Sequence, residues 1–297
     1  MLLEHKADVN ATNSEGDTSA VVACYGGYAD CLSLLLDSGA KFDMLFTCSS
    51  NDKDSDAQTL LRMACDKGHV ECVRLLVDKG ANVNQTNGSG RTALMSASCI
   101  GSIECVQLLL ERKADVHARD SEGSSAACWT CWKSRTGCLS LLLGAGAKVD
   151  KANSAGDSLL QLASQWGHSE GVKLLVDKVA DVDQANKNGD TALIGASRNG
   201  HKECVEVLLQ YNAKVDAQNL KNVTAMRAVC ENGHHLVLQV LLENGAETYF
   251  YHAYLATRNG HSLCLSLVLN SGGEIEVDKQ LDGGQTLVSY AAGLGHS

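Results

Sequence analysis

The sequence predicts an all-α solenoid of stacked helix–turn–helix units joined by β-turn or hairpin loops, and three observations predict it. With Thr191 as phase marker, equivalent residues fall at Thr18, Thr59, Thr92, Ser125, Ser158 and Thr224, and each step from Thr59 to Thr224 is 33 residues. Each copy holds two apolar stretches at helical spacing, parted by a glycine. Aromatic residues make up only 4% of the chain, which suits small cores of Leu, Val and Ala. A unit of this length cannot bury its own apolar face and does so against its neighbours.

The stretch 187–217, KNGDTALIGASRNGHKECVEVLLQYNAKVDA, sets the pattern for each element. Thr191 opens a first short helix with apolar Leu193 and Ala196. Gly200 ends it, where a left-handed cap is wanted. A second helix carries Cys204, Val205, Leu208 and Leu209 at helical spacing, and Asn212, Ala213 and Val215 lead into the next turn.

These residues resemble the ankyrin repeat family: DTALIGASRNGHKECVEVLLQYNAKVDA follows its G-x-T-P-L-H-x-A, G-H and L-L-x-x-G-A-x-V-N pattern. The resemblance covers nearly all 297 residues and specifies an ankyrin-repeat solenoid. One departure runs throughout, because the chain has no proline. Proline at the first helical position is favourable but dispensable, so the fold is expected to survive with less rigid first turns.

Residues 1–297 read as a single array. A partial unit at 1–13 precedes units near 14–43, 54–86, 87–119, 120–152, 153–185, 186–218, 219–248 and 249–278, and a partial unit covers 279–297. Both ends cut within a repeat, so a fragment of a longer array is expected. Between Asp43 and Thr59 there are 16 steps where the regular unit has 8, an insertion of about eight residues. Its Asp52, Asp54 and Asp56 imitate the start of a calcium loop, but Ala57 and Met63 stand where glycine and glutamate are needed, so it reads as a polar loop. The unit at Ser125 departs most, with Ala127, Thr130 and Ser134 replacing a leucine, an alanine and the glycine. Trp129 shares the phase of Leu162 and is read as core. After Ala246 the spacing shortens to 27 residues between Gly233 and Gly260, and TYFYHAY is read as a turn packed with aromatics.

Charge and side-chain chemistry then exclude most functions. The formal charge is −10, from 25 basic and 35 acidic residues, so neither a nucleic-acid nor a membrane partner is expected. No signal peptide or membrane-length apolar run appears, giving a cytosolic or nuclear chain. Among the 13 cysteines, Cys31, Cys72, Cys105, Cys138, Cys204 and Cys264 share one phase on the inner face of the second helix. Cys24, Cys65, Cys131 and Cys230 share another. Both series read as small buried hydrophobes in a reducing compartment. Cys128 and Cys131 form a C-x-x-C with no second pair at zinc spacing. His69, His168, His201, His234, His261 and His296 fall in one phase beside the turn glycine. One per repeat makes a row along the stack rather than a metal or acid–base cluster, and they are read as structural contacts. Phosphate-loop, dinucleotide, nucleophile-elbow and kinase signatures are absent. No catalytic residue, cofactor or metal is expected.

The resemblance implies a concave groove lined by turn tips and by the two residues before each Gly-His slot. There Tyr25, Ile100, Trp132, Lys133, Trp166, Arg198, Glu231 and Arg258 are the candidate partner-binding residues, with Ile100, Trp132 and Trp166 as an apolar centre inside a charged rim. The turn tips Ser121, Glu122, Ser154, Ala155, Lys187, Asn188, Leu220 and Lys221 are polar and mixed in charge. The expectation is a non-enzymatic scaffold or adaptor for a protein or peptide, alone or contiguous with further repeats or domains. The alternatives are the targeting or autoinhibitory part of a larger enzyme, channel or effector, and a mechanical spacer.

Overall fold

The computed structural model describes residues 5, 7–42, 58–149, 153–178, 180–272, 275–281 and 284–295. The insertion before Thr59 with its aspartates, Val179 and His296 lie outside the described residues. Among those described there are seventeen helices and no strand ladder, with one isolated antiparallel bridge between Thr12 and Thr18.

The chain forms two compact units, Met1–Lys148 with Ala152–Ser154, and Val149–Lys151 with Ala155–Ser297. The first holds four helix pairs: α1 (Ser19–Gly26) with α2 (Ala29–Asp37), α3 (Leu60–Lys67) with α4 (Val70–Asp78), α5 (Ala93–Ile100) with α6 (Ile103–Glu111), and α7 (Ala126–Trp132) with α8 (Thr136–Gly144). In the second, α9 (Leu159–Gln165) pairs with α10 (Ser169–Asp177), α11 (Ala192–Arg198) with α12 (Lys202–Gln210), α13 (Ala225–Asn232) with α14 (His235–Glu243), and α15 (Phe250–Arg258) with α16 (Ser262–Asn270); α17 (Leu287–Leu294) closes it. Within each unit first helices stack on first helices and second on second.

The first helices α1, α3, α5, α9, α11 and α13, and α17, start because a hydroxyl replaces a missing carbonyl. The threonine Oγ1 atoms accept from the backbone N–H three residues on: Thr18 from Val21 (3.3 Å), Thr59 from Arg62 (3.1 Å), Thr191 from Ile194 (3.3 Å) and Thr224 from Arg227 (3.1 Å). Such a cap contributes about 1 kcal/mol, which makes the missing prolines unnecessary. At Ser158 the cap is reciprocal, since Gln161 Oε1 accepts from the Ser158 N–H at 2.7 Å. The ends are equally local. Gly200 lies at φ +76°, and Ser134, where the glycine is lost, adopts the same left-handed backbone at φ +55°.

The histidine row is the bond between repeats. Each ring covers the glycine of the preceding repeat, and its Nε2–H donates to the carbonyl two residues before that glycine. The distances are His69 to Tyr25 at 3.1 Å, His201 to Gln165 at 3.0 Å, His234 to Arg198 at 3.0 Å and His261 to Glu231 at 3.2 Å. The structural reading of the row holds for these four. Arg135 stands in the histidine position of its repeat and does the same work, packing on Gly101 while its Nε donates to Cys99 O at 3.3 Å.

Leu32, Leu60, Met63, Leu76, Leu109 and Leu142 fill the first unit's core, and Leu159, Leu175, Ile194, Leu208, Met226 and Leu241 the second's, all almost fully buried. Removing each such side chain from water contributes about 1.5–3 kcal/mol.

Three sequence readings change here. Cys31 is exposed, unlike the buried Cys72, Cys105, Cys138, Cys204 and Cys264. The reason is positional: Cys105 packs on Cys65 of the preceding repeat, and no described helix precedes α1. Next, TYFYHAY is not a turn, because Tyr249 caps α15 and Phe250, Tyr251 and Tyr254 lie on the helix, whose N-terminal turn is closed by His252 Nδ1 accepting from the Tyr249 N–H at 3.1 Å. Last, Trp129 is half-buried at the margin of the core. Its position holds Met63 and Leu162, both buried, and Ser96, Gly195 and Ala228 in other repeats, and an indole is larger than any of them.

Candidate functional interface

The candidate residues stand at the C-terminal ends of the first helices, where chain direction reverses and side chains escape the stack. In the first unit Tyr25 is 49% and Ile100 43% exposed. Lys67 lies over the Tyr25 ring, 4.3 Å from its centroid, with Nζ 3.3 Å from the phenol oxygen. Ile100 leans on the preceding repeat, so that a Cβ at Gly68 would stand 3.9 Å from its Cγ2.

Trp132, the last residue of α7, is half-buried and meets Trp129 edge to face, with centroids 4.9 Å apart at 87°. The Arg91 guanidinium covers the Trp129 ring at 4.3 Å, and Trp129 Nε1–H donates to Asp120 Oδ2 at 3.2 Å. Asp120 in turn holds its turn through the N–H groups of Glu122 (3.1 Å) and Ser124 (2.8 Å). Lys133 follows, exposed. Burial pushes the thiol of the half-buried Cys99 up, Asp66 adds to that shift, and Lys133, Arg91 and Arg135 oppose it, Arg135 through Nε 3.3 Å from Cys99 O.

In the second unit Trp166 is 54% exposed just beyond α9. Arg198 and Glu231 are held internally. Arg198 grips Asp190 through two bonds of 3.0 and 3.2 Å, and Asp190 also accepts from Asn219 Nδ2 at 2.7 Å. Glu231 accepts from Arg227 Nε at 2.8 Å, a bond that raises the arginine's pKa, and Arg227 lies over the Tyr251 ring at 5.4 Å. Arg258 is exposed on α15, whose Tyr254 stacks against Tyr290 at 5.4 Å.

Turn tips form a backbone ladder within each unit. Ser121 N–H donates to Ser89 O (2.9 Å) and Ser154 N–H to Glu122 O (3.2 Å) in the first; Leu220 N–H donates to Asn188 O (3.0 Å) in the second. This ladder fixes the tips and leaves their side chains outward, Leu220 at 78% exposure.

Ile100, Trp132 and Lys133 thus lie at successive first-helix ends of the first unit, and Trp166, Arg198, Glu231 and Arg258 at those of the second. Arg91, Trp129 and Arg135 escaped the sequence reading as parts of the surface. Arg135 was legible from its place after Ser134, where other repeats have histidine. Arg91 carried no signal, since only folding brings it over an indole 38 positions away. Among the described residues no cluster of three or more His, Cys, Asp or Glu could hold a metal ion, and no helix is long and apolar enough to cross a membrane.

Comparison with known proteins agrees with this architecture. A family model of ankyrin repeats in three copies matches residues 42–120, 103–186, 126–219 and 178–251. The crystal structure of the human ASB11 ankyrin repeat domain is similar at 25% identity with a TM-score of 0.67, over 78% of this chain and 99% of that one. No curated protein sequence gives a match. The chain belongs to the ankyrin repeat family, whose members are generally protein-interaction modules.

Proposed function

We propose that this protein is a non-enzymatic scaffold or adaptor that binds a protein or peptide on the face formed by its first-helix ends and turn tips. One observation carries the reading. The recurring polar groups are spent on the fold, as threonine caps, histidine contacts and turn ladders, while large apolar side chains stand exposed at first-helix ends of each unit, Tyr25 and Ile100 in the first and Trp166 in the second. Half-exposed aromatic and aliphatic groups beside charged neighbours are the composition of binding hot spots.

The test places a photo-crosslinking amino acid at Ile100 or Trp166, and as controls at Lys173 and Glu206 on second helices. Saturable crosslinks to a defined protein, competed by unlabelled chain and confined to the first two positions, are expected. Crosslinks from the second-helix controls alone would remove the proposed face.

A further inference from the structure

Resting on that reading, we infer that the first unit's helix-end row binds an acidic peptide segment of a partner protein, one that inserts an aliphatic or aromatic side chain beside Trp132 and Ile100. Charge is the argument. The whole chain carries −10, yet Arg135 Nε reaches Cys99 O at 3.3 Å, Arg91 covers the Trp129 ring at 4.3 Å beside Trp132, and Lys67 and Lys133 lie in the same helix-end row. The nearby acids are already engaged: Asp66 faces Arg62 at 3.4 Å, and Asp120 accepts from Trp129 and two backbone N–H groups. Glu15 and Glu122 belong to turn tips and Glu104 to the second helix α6, outside the helix-end row. A local row of cations attracts carboxylates and speeds their encounter with the apolar side chains beside it.

The apolar part is equally placed. Ile100 is 43% exposed, and Trp132 offers a ring held edge to face by Trp129, itself pinned by Arg91 above and Asp120 at its nitrogen. A ring fixed in this way loses little freedom on binding, so an apolar side chain laid against it gains contact at small entropic cost. Carboxylates on either side reach Lys67 and Lys133, whose flexible ammonium groups suit variable spacing. In the second unit the places of Lys67 and Lys133 hold Trp166, Asn199, Asn232 and Asn259, and Arg198, one position earlier, is closed on Asp190.

The experiment selects phage-displayed random peptides, about a dozen residues long, on the full chain and measures the recovered peptides by fluorescence polarisation. The expected peptides carry two or more Asp or Glu flanking an aliphatic or aromatic residue. Their affinity falls about tenfold or more in Lys67→Glu/Lys133→Glu and weakens as salt rises from about 50 to about 500 mM, as screening requires. Both lysines are exposed, so the reversal leaves the fold intact, and Lys173→Glu on the second helix α10 leaves affinity unchanged. Peptides without acidic enrichment, or binding unmoved by the reversal, overturn the inference. Peptides lost in Trp166→Ala and kept in the charge reversal overturn it too, while the scaffold reading stands. Binding to phosphatidylserine vesicles in place of any peptide overturns it as well. If no peptide saturates the chain the inference falls, and the crosslinks at Ile100 decide separately whether the scaffold reading falls with it.

Discussion

Glycine and its covering ring set the tolerance of individual positions. Gly233 and Gly245 both have left-handed backbones, at φ +79° and +83°, but their surroundings differ. A Cβ at Gly233 would stand 2.6 Å from His261 Nδ1, whereas nothing lies within 4 Å at Gly245. Gly245→Ala should cost about 1 kcal/mol from backbone strain alone, and Gly233→Ala about 2–3 kcal/mol because the histidine contact goes too. Equal losses in urea unfolding would show that the ring does not hold the repeats together. At Ser134 the direction reverses: glycine there relieves a left-handed serine at φ +55°, and Ser134→Gly should stabilise by about 0.5–1 kcal/mol. Ser98, Ser164 and Ser197 are fully buried with unpartnered hydroxyls in the slot that Cys24, Cys65, Cys131 and Cys230 fill elsewhere. Ser197→Ala should raise stability by about 1 kcal/mol, by removing an unsatisfied polar atom.

Among the elements, α15 carries a buried histidine. Burial lowers the pKa of His252 from 6.5 to about 4, with Asp216 opposing and Arg227 adding to the shift. Its Nδ1 must stay unprotonated to accept from the Tyr249 N–H. The folded state therefore binds fewer protons than the unfolded chain between these values, so stability is complete above pH 6.5 and lost as pH falls towards 4. The slope approaches 1.4 kcal/mol per pH unit within that window. In His252→Asn, which keeps an acceptor and cannot titrate, the fall between pH 6.5 and 4 should be smaller by about 2–3 kcal/mol. An identical pH profile in the variant would place the titration elsewhere. Tyrosines gave the sequence no helix signal at this point, because the usual threonine cap is missing; histidine at the third helical position supplies the closure instead.

For the whole molecule, two compact units with separate cores predict separable responses to mutation. Stacked repeats carry their stability in nearest-neighbour packing, so damage stays near its source. Leu208 is fully buried in the second unit, and Leu208→Ala should cost that unit about 2–5 kcal/mol. In a Trp166→Phe background the remaining fluorescence comes from Trp129 and Trp132 of the first unit. Its unfolding midpoint should move much less than the helical signal at 222 nm (an ordinary far-ultraviolet helix band, about that wavelength). A common shift of both probes would mean that the units unfold together.

Period, caps and core phase were determined by the sequence alone, because each is a local matter. A threonine finds its N–H three residues on, a glycine adopts its own backbone, and Leu208 repeats the burial of Leu76 and Leu142 through phase. Tertiary structure alone decided which side chains answer one another across repeats. It exposed Cys31, turned Trp129 out of the core towards Arg91, joined Asn219 to Asp190, and brought Arg135 onto Cys99. The physical reason is that repetition dictates the backbone address of a residue, whereas charge and aromatic contacts depend on distances between neighbouring repeats that no single repeat contains.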